Sequence, residues 1–320
     1  MSTSSLVAGR LALPVIAAPM FLVSGPELVI AQCKAGVVGS FPSLNARPIE
    51  QLDAWLTRID EALREHDAAH PERPAAPFAV NLIVHRSNTR LEEDLALVIK
   101  HRVPLVITSL GAREDVNAAV HSYGGKVLHD VIHTTFARKA IEKGADGLIA
   151  VAAGAGGHAG TWSPFALIEE IRAWWDGPLA LSGAIATGRG VLAAQAAGAD
   201  FAYIGSAFIA TQEAQAAQGY KDMIVASGAS DIVYTDVFTG VWGNYLKPSL
   251  AAAGMDPENL SDVARQALDL NGGKDGPRAW RDIWGAGQGI GAVREVTTVA
   301  GLVERLKGEY DARRARLLRE

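Results

Sequence analysis

The sequence predicts a (β/α)8 barrel, or TIM barrel, with an inserted helical region after the eighth strand. Eight short apolar runs recur along the chain with helical stretches between them. Each run is continuously rather than alternately apolar, as expected for parallel strands that are buried on both faces. The runs cover residues 14–18, 36–40, 78–83, 104–108, 126–132, 147–151, 178–182 and 201–204. Eight strand–helix units in succession favour a closed barrel, and a doubly wound open sheet is the alternative.

Helix boundaries between these runs support the same pattern. Ser163 followed by Pro164 is typical of an N-cap and a first helical residue. Gly144 and Gly198 are each followed by Ala-Asp and then by the next predicted strand. Glycine is common just after the end of a helix, so these two junctions indicate similar helix-to-strand turns.

Composition excludes several classes of protein. The chain has 320 residues, of which 49% are hydrophobic, and a net charge of −5. This charge argues against nucleic-acid or membrane-surface binding, since phosphate affinity needs clustered Lys and Arg. The single cysteine, Cys33, excludes an internal disulfide, and we expect it to be buried filler. No segment resembles a signal peptide or a membrane span, so we expect a cytoplasmic protein.

Two segments interrupt the strand–helix repeat. Residues 70–77 (HPERPAAP) form a proline-rich connector before the third predicted strand. Residues 219–290 follow the eighth predicted strand and are too many for one loop. We therefore assign the barrel to residues 1–218 and 291–320, and we expect 219–290 to be a helical insertion over the barrel mouth. Most aromatic residues of this insertion are expected to form its core.

Residues 153–160 (AGAGGHAG) are the most informative segment for function. Glycines let a backbone approach a ligand closely, and a histidine exchanges a proton near neutral pH. Ligands of a barrel bind at the carboxyl ends of its strands, and this segment follows the sixth one. We therefore predict that His158 faces a ligand as an acid/base group. The alternative is a glycine-rich turn with an incidental surface histidine.

A phosphate site is predicted where the last two strands end. Gly183 follows the seventh predicted strand, and Gly205 and Ser206 follow the eighth and open a helix. Such loops and a helix N-terminus offer several backbone N–H groups to one anion. Flavin mononucleotide (FMN) and a sugar phosphate are the candidate ligands, and two tight turns without a ligand are the alternative.

Dinucleotide and metal sites are not predicted. Residues 285–291 (GAGQGIG) lack the preceding buried strand of a dinucleotide-binding fold, so we place them in a loop near the site with Gln288 as a candidate ligand contact. His129, His133 and His158 lack the spacing of a zinc motif, and no cysteine pair exists. His129 ends the fifth predicted strand and is expected to face the site.

Five segments resemble the FMN-dependent nitronate monooxygenase family, formerly called 2-nitropropane dioxygenases. The resemblance covers residues 11–306 approximately, and it extends to FMN-dependent NADH:quinone reductases and enoyl-ACP reductases. It implies a (β/α)8 barrel with an inserted helical region. The segments are 13–20 (LPVIAAPM), 155–160 (AGGHAG), 181–191 (LSGAIATGRGV), 198–211 (GADFAYIGSAFIAT) and 286–291 (AGQGIG).

The resemblance implies a flavin site and its residues. FMN is the expected cofactor, O2 and a small nitronate are the expected reactants, and His158 is expected beside the flavin. A homodimer is the candidate assembly. The flavin contacts that the resemblance implies are Ala18, Pro19, Met20, Asn81, Gly156, Gly157, Gly183, Ala184, Tyr203, Ile204, Gly205 and Ser206.

Three departures from the family pattern alter the polarity expected around the substrate. Val151 stands where the family usually has glutamine, Gly154 where it commonly has glutamate, and residues 240–249 (GVWGNYLKPS) replace an arginine-bearing segment. Residues 203–206 read YIGS where QMGT is usual. Because the glycine and a hydroxyl survive there, the expectation of phosphate binding stands.

Three functions follow from these residues. The first is oxidation of alkyl nitronates or nitroalkanes by FMN and O2 to a carbonyl compound and nitrite. His158 would act there either as a cation that binds the nitro group or as a neutral general base. The second is NAD(P)H-dependent reduction of a quinone or an enoyl thioester, and the third is a non-redox barrel that binds a sugar phosphate or nucleotide.

Overall fold

A computed structural model describes residues 7, 9–261, 263 and 280–319. Its strands are β1 (Val15–Ala17), β2 (Gly39–Pro42), β3 (Phe78–Ile83), β4 (Leu105–Ser109), β5 (Lys126–Val131), β6 (Gly147–Val151), β7 (Gly157–His158), β8 (Leu179–Ser182), β9 (Phe201–Ile204), β10 (Ile232–Thr235) and β11 (Gly243–Leu246). Its α-helices are α1 (Pro26–Lys34), α2 (Ile49–Ala69), α3 (Leu91–Lys100), α4 (Glu114–His121), α5 (Thr134–Glu142), α6 (Pro164–Arg172), α7 (Gly188–Ala196), α8 (Ser206–Ile209), α9 (Gln218–Ala226), α10 (Lys247–Ala252) and α11 (Val299–Leu317).

Eight parallel strands form a closed barrel. They are hydrogen-bonded in the order β1-β9-β8-β6-β5-β4-β3-β2. The two ends of this order meet, because the Ala17 nitrogen donates to the Val38 oxygen at 2.8 Å and the Val38 nitrogen donates to the Val15 oxygen at 3.1 Å. The closure confirms the predicted (β/α)8 barrel and excludes the open doubly wound sheet.

The predicted strands agree closely with those of the barrel, with one exception. β3, β6 and β9 have the predicted bounds, and four other strands end within one residue of them. The prediction of a strand over residues 36–40 was displaced, because β2 covers Gly39–Pro42. Gly36, at φ +87°, belongs to the turn after α1, and β2 continues far enough for Pro42 to pair with Asn81 of β3.

The barrel interior is mostly apolar and has one layer of polar side chains just below the mouth. Interior residues such as Leu105, Ile107 and Leu128 form one apolar cluster. Side chains alternate along a strand, so the residues two positions beyond the last interior apolar ones face the same side. These residues are Asn81, Ser109, Asp130, Ser182 and Tyr203.

The segment after β9 contains strands as well as helices. β10 pairs antiparallel with β11, and β11 pairs antiparallel with β7, which forms a second, three-stranded sheet. The prediction of a helical insertion was therefore wrong for this part. Residues 262 and 264–279 of the predicted insertion lie outside the described residues, and its domain boundaries stay a prediction.

Smaller features of the sequence behave mostly as expected. Cys33 is fully buried in α1, and burial raises the pKa of its thiol to about 12. Gly144 and Gly198 have positive φ just after α5 and α7, as the predicted turns require. Ser163 precedes α6 as predicted, but its side chain makes no capping hydrogen bond. In the described part of the chain, no helix is long and apolar enough to cross a membrane.

An ion pair with a buried carboxylate fixes one wall of the barrel mouth. Asp94 of α3 is fully buried and accepts hydrogen bonds from Arg90 at 2.7 Å and from the Ser43 hydroxyl at 2.7 Å. The same guanidinium donates to the Ala46 oxygen at 2.7 Å. These bonds fasten the segment after β2 to the start of α3.

Asp94→Ala is expected to lower the free energy of unfolding by about 2 kcal/mol, because it leaves the partly exposed Arg90 guanidinium and the buried Ser43 hydroxyl without the carboxylate. Urea unfolding at neutral pH measures this change. Asp311→Ala is the control, since Asp311 pairs with Lys307 on the exposed side of α11 with the same four-residue spacing. That change should stay within about 1 kcal/mol, and equal losses in the two variants would contradict the prediction.

Candidate active site

A cavity of 1150 Å³ opens at the carboxyl ends of the barrel strands, where ligands of such barrels bind. Both the barrel and the segment after β9 contribute to its walls. The sequence-predicted residues that line it are Ala18, Pro19, Met20, Asn81, His129, Gly156, Gly157, His158, Tyr203, Gly205 and Ser206.

The loop that carries His158 is clamped by the three-stranded sheet. His158 and Gly157 pair with Gly243 and Asn244 of β11, and the Asn244 amide donates to the Ala155 oxygen at 2.7 Å. A side chain at position 243 would place its Cβ 2.9 Å from the Gly157 oxygen, so this close approach of two backbones needs glycine. The glycine-rich loop is thus held as a strand rather than as a free turn.

His158 is a neutral imidazole with a defined tautomer. Its Nε2 lies 3.0 Å from the Thr239 hydroxyl, and that hydroxyl donates to the Val241 oxygen at 3.0 Å. Because a hydroxyl has one proton, Thr239 accepts from Nε2–H, which leaves the lone pair on Nδ1. Burial lowers the pKa of His158 to about 4. The imidazole can therefore accept a proton or a hydrogen bond through Nδ1 at neutral pH.

A small cleft adjoins the cavity where β8 and β9 end. Six of the residues that line it are glycines, and Gly183 and Gly287 are among them. A Cβ at Gly156 would lie 2.7 Å from the Gly287 nitrogen and 3.0 Å from the Ser206 hydroxyl oxygen, so glycine keeps the cleft open. Backbone N–H groups and one hydroxyl can surround an anion here. The predicted helix N-terminus contributes little, because α8 is only one turn long.

The floor of the cavity contains a directional chain of hydrogen bonds. Asn81 Nδ2 donates to the Ile107 oxygen at 3.0 Å and to the Ser109 hydroxyl at 2.8 Å. Ser109 in turn donates to Asp130 Oδ2 at 2.6 Å. Asp130 Oδ1 has no hydrogen-bond partner, and burial raises the pKa of this carboxyl to about 6.

Sequence reasoning missed Asp130 and Thr239. Asp130 is an acidic residue near the carboxyl end of a predicted buried strand, and this was a usable signal. Thr239 gave no signal, because its position beside His158 depends on the pairing of β11 with β7.

His85, His129 and His133 also line the cavity. His129 Nδ1 lies 2.6 Å from the Thr108 hydroxyl, and burial lowers the pKa of His129 to about 4. His133 caps α5 and stacks on Phe136. Among the described residues, no three His, Cys, Asp or Glu side chains are grouped as a metal ion requires.

Some predicted contacts lie away from the cavity. Gly183 and Ala184 line only the small cleft. Gln288 is exposed and lines neither the cavity nor the cleft. Its backbone nitrogen donates to the Gly154 oxygen at 2.9 Å. Ile204 is fully buried among residues outside the barrel interior, so its side chain faces away from the site. Val151 lines the cavity and makes this part of its wall apolar.

The mouth of the cavity is apolar and carries cationic side chains. The exposed apolar residues that line it are Leu22, Ile132, Phe136, Trp162 and Trp242. Lys139 is exposed at the same mouth, and Arg281 lines it beside Asp282. An anionic molecule with an apolar part matches this combination of charge and surface.

Residues 6–309 match a family model described as nitronate monooxygenase. The chain is 25% identical to a protein of Paraburkholderia phytofirmans named nitronate monooxygenase, over 92% of each chain. It is 27% identical, over 68% of this chain and 58% of the relative, to a protein of Rhodococcus jostii named (3aS,4S,5R,7aS)-5-hydroxy-7a-methyl-1-oxo-octahydro-1H-indene-4-carboxyl-CoA dehydrogenase.

A solved structure shares the fold. It is titled as nitroalkane oxidase from Streptomyces ansochromogenes and has 24% sequence identity with this chain. The superposition has a TM-score of 0.77 and covers 98% of this chain and 99% of that one. This likeness supports the (β/α)8 barrel over the whole described chain.

The tautomer of His158 can be measured without any ligand. We expect Nε2 to carry the proton and the ring to titrate near pH 4, because Thr239 accepts from Nε2 and burial disfavours the cation. Thr239→Val removes the acceptor and should give a mixture of tautomers, whereas Thr239→Ser keeps the hydroxyl and should preserve the single one. Nitrogen-15 chemical shifts of labelled histidine report both quantities. An unchanged tautomer in Thr239→Val would contradict the assignment.

Proposed function

Since this chain belongs to the nitronate monooxygenase family, we propose that it uses FMN and O2 to oxidise alkyl nitronates to a carbonyl compound and nitrite. Membership makes it an oxidoreductase that acts on small molecules. The observation that carries the proposal is a neutral, clamped imidazole in the wall of a cavity that adjoins a glycine-lined cleft. The cavity has room for a flat cofactor with its substrate, and the cleft offers backbone N–H groups and the Ser206 hydroxyl to a phosphate.

The residues present fit FMN. The cleft beside Gly183, Gly205 and Ser206 would hold the phosphate through backbone N–H groups and the Ser206 hydroxyl. The backbone of residues 18–20 and the Asn81 side chain would lie beside the ring, since they line the cavity that opens from the cleft. The redox chemistry, which moves electrons from the substrate to O2, is what FMN supplies when bound.

A neutral His158 favours the general-base role over the cationic one. With the proton on Nε2, Nδ1 has a lone pair that can take the α-proton of a neutral nitroalkane. The C–H bond breaks, the proton moves to Nδ1, and the electron pair passes to the nitro group, which leaves the nitronate. The resulting imidazolium keeps its hydrogen bond to Thr239, so the orientation of the ring is preserved.

An anaerobic titration tests the proposed reaction. Purified protein is mixed with an alkyl nitronate, and the visible absorbance of the flavin is followed. Bleaching by the nitronate but not by NADH supports the proposal. The absence of a flavin band even after FMN has been added would overturn it.

His158→Asn is expected to lower turnover of a nitroalkane about 100-fold, because a positioned general base contributes about that much. The amount of bound FMN should stay at the wild-type level. Steady-state kinetics and the absorbance ratio of flavin to protein measure the two effects. His70→Asn is the control, because His70 is half-exposed beside Glu72 and does not line the cavity. Wild-type turnover in His158→Asn would remove His158 from the chemistry.

Gly156→Ala is expected to raise the dissociation constant of FMN at least about tenfold, since the added methyl group would push Gly287 and Ser206 apart. Quenching of FMN fluorescence by the apoprotein measures this constant. Gly308→Ala is the control, because a Cβ at this exposed position on α11 would meet nothing within 4 Å. Equal affinities in Gly156→Ala and the control would argue against phosphate binding in the cleft.

A second candidate function is NAD(P)H-dependent reduction of a quinone or an enoyl thioester on the same cofactor. The apolar mouth of the cavity, lined by side chains such as Phe136, Trp162 and Trp242, favours it, since a quinone or an acyl chain is itself apolar. The Rhodococcus jostii relative is named for a bicyclic CoA ester, which is a large substrate. Rapid anaerobic bleaching of the flavin by NADH or NADPH alone would support this second function instead.

A further inference from the structure

Asp130 is a buried carboxyl that the proposed reaction does not use. It lies near the end of β5, two residues after Leu128 of the barrel interior, and so belongs to the polar layer below the mouth. Asn81, Ser109 and Asp130 all line the cavity. A ligand in the cavity therefore lies against these three side chains.

The direction of the hydrogen bonds among Asn81, Ser109 and Asp130 leaves the floor of the cavity with groups that accept hydrogen bonds from a ligand. Asn81 uses both amide protons within the protein, on the Ile107 oxygen and the Ser109 hydroxyl. Ser109 uses its single proton on Asp130. Within the described part of the chain, no donor reaches Asp130 Oδ1. The groups left for a ligand are thus the Asn81 carbonyl oxygen and the Asp130 carboxyl.

Among the residues that the structure describes, no cationic side chain pairs with Asp130. His129, on the same strand, is held neutral by its low pKa. Tyr203, on β9, has its pKa raised well above the ordinary value by burial and then by the charge of Asp130. Asp94, the other buried aspartate described above, has both a guanidinium and a hydroxyl. A buried carboxyl with one hydroxyl for a partner is costly, and such costs concentrate at functional sites.

We propose that Asp130, held by Ser109 and Asn81, forms a subsite that accepts a hydrogen bond from an N–H or O–H group of a bound molecule. The donor is either a ring N–H of the flavin or a donor group of the substrate. The inference rests on the proposed function only for the identity of these two molecules. An ionised Asp130 repels the anionic end of a nitronate, so that end lies away from the floor.

Asp130→Leu and Asp130→Asn test the subsite, since leucine removes the acceptor and asparagine keeps one. FMN affinity is measured by fluorescence quenching, and KM and kcat are measured at saturating FMN. If the flavin is the donor, Asp130→Leu raises the FMN dissociation constant about tenfold or more with KM unchanged. If the substrate is the donor, KM rises about tenfold with FMN affinity unchanged. In both cases Asp130→Asn keeps most of the affinity that Asp130→Leu loses.

Thermal unfolding of the flavin-free chain separates this function from a structural role. A folded pKa of about 6 exceeds the unfolded value of about 3.9. The stability that the protonated carboxyl contributes is therefore present below about pH 4 and lost as pH rises through about 6. Asp130→Asn should then unfold at a higher temperature than wild type near about pH 8, with a smaller difference near about pH 4.

Two results would overturn the inference. One is an Asp130→Leu protein whose FMN affinity and KM both lie within about twofold of wild type. The other is an Asp130→Asn protein that unfolds below the wild-type temperature near about pH 8, as a merely structural carboxyl would require. A wild-type protein that fails to bind FMN would instead refute the proposed function, while the unfolding comparison would still decide the role of Asp130.

Discussion

The antiparallel pairing of β11 with β7 is the interaction on which the candidate site depends. Backbone hydrogen bonds such as that from the Gly160 nitrogen to the Val151 oxygen hold residues 153–160 at their two ends. Pairing with Gly243 and Asn244 makes two of these residues a strand and places Thr239 against His158. The Tyr234 hydroxyl adds a bond of 2.8 Å to the Ala159 oxygen from β10. The barrel thus supplies the cavity, and the segment after β9 fixes the orientation of the imidazole in it.

Local patterns predicted the barrel but not this sheet. Continuous apolar runs identify buried parallel strands one at a time, because each run is long enough to have a composition of its own. β7 has only two residues, and its partner lies more than eighty positions further along the chain. Nothing in a window of sequence around either strand indicates such a pairing. Residues 219–290 were therefore expected to be helical, and the strands β10 and β11 were missed.

Among individual site residues too, local patterns predicted some features and not others. Glycines that line the cleft were predicted, because a motif specifies where the backbone must come close to a ligand. The direction of a side chain was not always predicted. Tyr203 faces the barrel interior and the cavity, whereas the next residue, Ile204, faces the surrounding helices, as the alternation along a strand demands. Asp130 could have been found by the same alternation, because it follows Leu128 by two positions.

Burial gives the cavity an uneven electrostatic character. It lowers the pKa of His158 and His129 to about 4 and raises that of Asp130 to about 6. At neutral pH both imidazoles are therefore neutral while the floor carries one negative charge, and Lys139 adds positive charge at the mouth. A substrate that is anionic at one end is consequently favoured with that end toward the mouth and disfavoured in the reverse orientation. If the substrate binds as proposed, the floor and the mouth together would favour one orientation, and His158 would meet the part of the substrate that this orientation presents.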